Sequence, residues 1–311
     1  MGSAMEFSHV SVMLKECIEG LAVRPDGNYL DGTAGGAGHS LEIAKRLTTG
    51  RLIALDQDPD AVETAAERLS EYPQAQVVQA NFRSLDSVLQ ALSVNGLDGV
   101  LLDLGVSSHQ LDEASRGFSY QSDAPLDMRM SQSGFSARDL VNTWPADEIA
   151  RILREYGEEN FARSIALRIQ RQREVKEIET TFELAEIVKA AMPAAARREK
   201  NPCKRTFQAL RIAVNQELDS LSEGLEQAFA SLHSGGRLVI LTFHSLEDRM
   251  VKRRFQEWCR GCTCPPDFPV CVCGKEPRAR LVNRKPLTAA PGELEVNRRS
   301  RSAKLRILEK L

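Results

Sequence analysis

No run of the chain approaches the ~18 consecutive apolar residues that a membrane span needs, so no spanning helix is expected. The first residues lack a basic stretch followed by an apolar one, and Glu6 stands where a myristoylation signal needs Ser or Thr. With neither leader nor lipid anchor in view, the chain is expected in the cytoplasm, where seven Cys argue against a disulfide framework. The Walker-type Gly-Lys-Ser/Thr is missing, which disfavours ATP. The dinucleotide fingerprint is missing as well, because counting from Gly36 and Gly38 its last glycine would fall on Leu41, which disfavours NAD.

What is present is ordinary globular material. Of 311 residues 42% are hydrophobic and 27% charged, and a prior of ~100–200 residues per domain suggests about two domains. The net charge of −2 hides an asymmetry. Arg249, Lys252, Arg253, Arg254, Arg278, Arg280, Arg284, Lys285, Arg298, Arg299, Arg301, Lys304 and Arg306 crowd the last stretch, which suits a polyanion partner or a solvated surface.

Short apolar runs at 29–31, 52–56, 76–79, 99–103 and 237–242 read as buried parallel strands, and amphipathic stretches at 41–47 and 61–69 alternate with the early ones. This is the pattern of a doubly wound α/β fold. The alternation stops after Asp103 and resumes near Gly235. Between them lie helical patterns at 146–155, 161–171, 182–191 and 206–218, which predict an inserted helical domain. A last strand is expected at 303–309.

The turn after the first strand, Asp31-Gly32-Thr33-Ala34-Gly35-Gly36-Ala37-Gly38-His39, lets a ligand approach the backbone closely. Asp56, ending the next strand, is placed to accept both ribose hydroxyls of an adenosine-containing ligand. S-adenosylmethionine carries a sulfonium and no phosphate, so it suits a site framed by Asp31, Asp56 and Asp103 at successive strand ends. Asn81-Phe82 offers a wall for the adenine, although Phe82 read alone is ordinary core.

The stretch Asp103-Leu104-Gly105-Val106-Ser107-Ser108-His109-Gln110-Leu111-Asp112 resembles the RsmH or MraW family, bacterial methyltransferases of a cytidine 4-amino group in the decoding centre of 16S ribosomal RNA. Arg116-Gly117-Phe118-Ser119, Arg205-Thr206-Phe207-Gln208-Ala209-Leu210 and Phe243-His244-Ser245-Leu246-Glu247-Asp248-Arg249 carry the same resemblance, which runs over nearly the whole chain. It implies a Rossmann-like class I methyltransferase fold with a helical insertion. The methyltransferase domain would comprise residues 1–111 and 216–311, and an RNA-recognising insertion residues 112–215. It implies S-adenosylmethionine against Gly36, Ala37, Gly38 and His39 of the turn, Asp56, Phe82, Asp103 and Gln110. The implied partner is 16S ribosomal RNA, alone or within the small subunit, with no membrane; the oligomeric state, a homodimer included, stays open. His109 departs from the family, standing where many members have Pro, and the cysteine cluster is absent from many.

An exocyclic amine on a pyrimidine is a poor nucleophile, so its lone pair must be aimed at the methyl and its proton accepted. Asp103, Ser107 and Ser108 are the candidates, with the serines as turn-shaping residues the plainer alternative. His244 and Ser245 contact RNA or cap a helix. Methylation of a ring carbon would require a cysteine nucleophile, for which Cys203 lies in the wrong part of the chain. A methyltransferase of another RNA base, a nucleotide-binding oxidoreductase and a non-catalytic RNA-binding module are the competing readings. Arg197, Arg198 and Lys200 are further phosphate contacts in prospect. Cys259, Cys262, Cys264, Cys271 and Cys273 supply enough thiolates for a structural zinc, against reduced thiols packed in a loop.

Overall fold

A computed structural model describes residues 11–198, 201–262, 264 and 273–311. Lys200 and Cys271 lie outside the described residues.

The chain divides into two compact units, one of residues up to Gly105 together with Asp219–Leu311, the other Val106–Leu218. The first junction falls before residue 111 and the second after residue 215, so Ser107, Ser108 and Gln110 belong to the second unit.

In the first unit the strands are β1 (Asn28–Asp31), β2 (Arg51–Asp56), β3 (Ala75–Gln79), β4 (Leu97–Asp103), β5 (Leu232–Thr242), β6 (Ala279–Leu281) and β7 (Lys304–Lys310). Among the described residues they form one sheet in the order β3-β2-β1-β4-β5-β7-β6. The first five are parallel, and β7 runs antiparallel to β5 and β6. This is the doubly wound, Rossmann-like arrangement.

The apolar runs are continuous because both sheet faces are covered. Leu30, Ile53, Leu55, Val100, Leu102, Leu238 and Ile240 point into one core with residues of α4 (Leu85–Ala91), α12 (Glu217–Ser231) and α13 (Ser245–Cys259). Their neighbours Tyr29, Leu52, Ala54, Leu101, Val239 and Leu241 point into the other, against α1 (Leu14–Leu21), α2 (Gly38–Ala44) and α3 (Pro59–Arg68). The N-terminus of α3 is built as its sequence demands: Asp58 accepts from the Asp60 amide and Pro59 takes the first turn.

The second unit is helical, with α5 (Ser108–Asp112), α6 (Ala137–Thr143), α7 (Ala146–Glu155), α8 (Ala162–Arg173), α9 (Thr181–Ala190), α10 (Ala194–Arg197) and α11 (Lys204–Val214). Its own core contains Leu140, Ile149, Leu153, Ile165, Ile169, Leu184, Val188 and Leu210. Ser136 and Thr180 open α6 and α9 with reciprocal capping boxes to Asp139 and Glu183. Among the described residues no helix is long and apolar enough to cross a membrane.

Candidate active site

Strand order reverses between β1 and β4: from β1 the chain proceeds to β2 on one side, while β4 is followed by β5 on the other. Such a switch point opens a crevice at the carboxyl ends of the strands. Asp31 ends β1, Asp56 ends β2 and Asp103 ends β4, so the three aspartates converge there by topology.

The glycine turn is pinned to its neighbours. The Gly32 amide donates to Leu101 O at 2.9 Å and the Ala34 amide to Leu55 O at 2.8 Å. Gly35 at φ +49° and Ala37 at φ +59° both take the left-handed conformation, the second at the cost that any Cβ brings. Asp56 organises the turn directly, accepting from the Gly35 amide at 2.8 Å with one oxygen and from the Asp58 amide at 2.9 Å with the other. Each carboxylate oxygen retains a second lone pair for a hydroxyl ligand. Burial pushes the Asp56 carboxyl up to about 6, against the two amides that favour its charge. Arg68 clasps the turn from α3, donating to Gly36 O at 2.6 Å.

Asp31 is buried, accepting from Ser40 Oγ at 2.6 Å and the Thr33 amide at 3.2 Å. Burial raises its pKa, while His39, Ser40 and Thr33 pull the other way. Thr33 Oγ1 accepts from the Asp103 amide at 2.7 Å, tying the β1 turn to the end of β4. His39 is buried with Nε2 3.2 Å from Val12 O and Nδ1 3.8 Å from Asp103 Oδ2. If Nε2 carries the proton, Nδ1 presents its lone pair toward Asp103. Burial first, then the charges of Asp31 and Glu247, push Asp103 up to about 8.

Glu247 is the member of this cluster that sequence reasoning passed over. Its Oε2 accepts from the amides of Phe243 at 2.8 Å and His244 at 3.2 Å, and its Oε1 lies 3.0 Å from His244 Nε2. His244 is the N-cap of α13, so the helix-capping alternative for that residue is the one observed. The signal was the His244-x-x-Glu247 spacing, which places a carboxylate at the third helical position as in a capping box.

Within the second unit, Ser107 caps α5: its Oγ accepts from the Gln110 amide at 3.2 Å, and Gln110 Oε1 accepts from the Ser107 amide at 3.0 Å. Both candidate groups therefore hold a helix start. Ser108, the first helical residue, is buried. Phe82 packs as core at the first unit's edge, its ring so close to α12 that a Cβ on Gly224 would meet Cδ2 at 2.4 Å. Asn81 beside it bonds Gln57 Oε1 at 2.8 Å. Much of the basic tail is internally paired: Lys304 and Arg306 hold Asp248 at 3.0 and 2.7 Å, Arg254 holds Glu226 at 2.8 Å, and Arg278 stacks over Phe229. Arg163, Arg168 and Arg171 of α8, and Arg197 and Arg198, are exposed on the second unit.

Of the five clustered cysteines, the structure groups Cys262, Cys264 and Cys273. Cys259 is not in that group: it ends α13 and packs, partly buried, beside the sheet core.

A family model described as the MraW methylase family matches residues 6–311. The protein named Ribosomal RNA small subunit methyltransferase H from Clostridium botulinum is 52% identical over 309 residues, covering 99% of this chain and 100% of its own length. Its namesake from Lachnospira eligens is 53% identical over 315 residues, covering 100% of both chains. Another, from Symbiobacterium thermophilum, is 54% identical over 311 residues, covering 99% of this chain and 98% of the relative.

Proposed function

The chain belongs to the MraW methylase family and is an S-adenosylmethionine-dependent methyltransferase of small-subunit ribosomal RNA, and we propose that its acceptor is the exocyclic 4-amino group of a cytidine in the 16S decoding centre. The observation that carries the site assignment is the cluster of Asp31, Asp103 and Glu247, whose charges oppose one another at the switch point. Such a cluster favours a cationic ligand. The methyl donor, when bound, supplies an electrophilic methyl on a positively charged sulfur.

In this reading the glycine turn brings its backbone against the donor, and Asp56 accepts the ribose hydroxyls. Asp103 accepts a hydrogen bond from the acceptor amine, which aims the nitrogen lone pair. As the N–C bond forms and the S–C bond breaks, the sulfur leaves as a neutral thioether and the amine proton passes to Asp103. Burial pushes that carboxyl up to about 8 in the free protein, and a cation beside it favours the charged form that can accept the proton. The cysteine cluster enters no step. We take the second unit as the RNA-recognising part, on the strength of its exposed arginines; a ribosomal substrate, naked or assembled, also supports a cytoplasmic location.

The experiment is calorimetric titration of S-adenosylmethionine into wild type and Asp56→Ala. Wild type should bind, and the variant should bind roughly tenfold or more weakly, because a charge-assisted hydrogen bond contributes ~1.5–3 kcal/mol. Asp56→Asn, which keeps an acceptor for the Gly35 amide, separates ligand contact from turn support. Unchanged affinity in both folded variants would remove Asp56 from the site.

A further inference from the structure

Three thiols come together among the described residues between α13 and β6. The Sγ atoms of Cys262, Cys264 and Cys273 all lie within 4.8 Å of one another. Cys262 and Cys273 are 3.7 Å apart across eleven positions of sequence, and the Cys264 amide donates to Cys262 Sγ at 3.4 Å.

These distances have a chemical meaning. A tetrahedral zinc with Zn–S bonds of ~2.3 Å sets its sulfurs ~3.8 Å apart along each edge. The Cys262–Cys273 separation matches that edge. An amide donating to sulfur stabilises the thiolate form, as is common around metal-bound cysteines. Three thiolates on a divalent cation leave excess negative charge, and Arg260, Lys275 and Arg278 stand in the same stretch.

We propose that Cys262, Cys264 and Cys273 are three ligands of a structural zinc ion that ties the end of α13 to the approach of β6, and that Cys259 is not a ligand. Cys259 lies outside the group of three thiols and packs, partly buried, against the sheet core. The ion plays no part in methyl transfer; it links positions separated by eleven residues of sequence, a role that a redox-inert cation on thiolates performs well.

The test is elemental analysis of full-length protein purified under reducing conditions without chelator or affinity metal, followed by cobalt substitution. Wild type should hold close to one zinc per chain. Cys262→Ser, Cys264→Ser and Cys273→Ser should each hold at least tenfold less, with the circular dichroism of the wild type and unchanged S-adenosylmethionine binding, and Cys259→Ser should retain the metal. The cobalt form should show thiolate-to-metal charge-transfer bands and tetrahedral visible bands, which none of the three deficient variants reproduces. A wild type without metal, or equal loss in Cys259→Ser, would overturn the proposal. Because cofactor binding is read in parallel, that failure would leave the methyltransferase reading untouched.

Discussion

Replacing Asp103 by Ala should lower single-turnover methyl transfer by roughly 10²-fold or more, with RNA and cofactor saturating and RNA affinity near that of wild type. The size follows from position. Asp103 ends β4 at the switch point, its amide is held by Thr33 Oγ1, and its carboxyl meets the charges of both Asp31 and Glu247. Asp103→Asn keeps the shape and loses the base, so it should fall with Asp103→Ala. Ser107→Ala should cost mainly stability, ~1 kcal/mol, because its hydroxyl caps α5. Near-normal chemistry in folded Asp103→Ala would make the aspartate structural and move the search for a base to His244 and Glu247.

The affinity for S-adenosylmethionine should rise with pH between about 6 and 8, by up to about tenfold per unit, whereas that for the neutral product S-adenosylhomocysteine should change much less. The sign is set by Asp103. In the free protein its carboxyl, pushed up to about 8, holds a proton at neutral pH. A cation beside it favours the charged form, so binding expels the proton and strengthens as protons become scarce. Titration in buffers of different ionisation enthalpy measures the protons released. Stability obeys the same linkage. A carboxyl raised above its unfolded value contributes stability that is fully present below the unfolded pKa of 3.8 and lost as pH rises through about 8. Unliganded protein should therefore lose thermal stability over that range, and the methyl donor should restore part of it. Equal pH profiles for the donor and its product would show that the cluster does not meet the sulfonium.

Much of this was legible in the sequence, for reasons that differ by element. β1, β2, β4 and β5 announce themselves because a parallel strand covered on both faces is apolar, as Leu52-Ile53-Ala54-Leu55 is, whereas β3, at the sheet's edge, exposes Gln76 and Gln79. α4 escaped notice because seven residues hold too little periodicity, and α12 because its apolar positions follow directly on those of α11. The strand-end aspartates were visible because topology alone brings strand ends together. Glu247 was not, since its nearness to Asp103 depends on how α13 packs behind β5, a tertiary fact. Ser107 carries a second signal that the catalytic reading passed over: Ser-x-x-Gln is a helix start, and the hydroxyl caps α5. Cysteine spacing likewise gave five candidates, and only the folded chain groups Cys262, Cys264 and Cys273 apart from Cys259.

The central claim is that this chain methylates a cytidine amine of small-subunit ribosomal RNA, and nucleoside mass spectrometry tests it most directly. RNA from cells lacking the protein should lack one N4-methyl group on a cytidine of the 16S molecule. Wild-type protein should restore it, and Asp103→Ala should not. An unchanged N4-methylcytidine content in cells lacking the protein, or restoration of a methyl group on a ring carbon or on another base, would contradict the account.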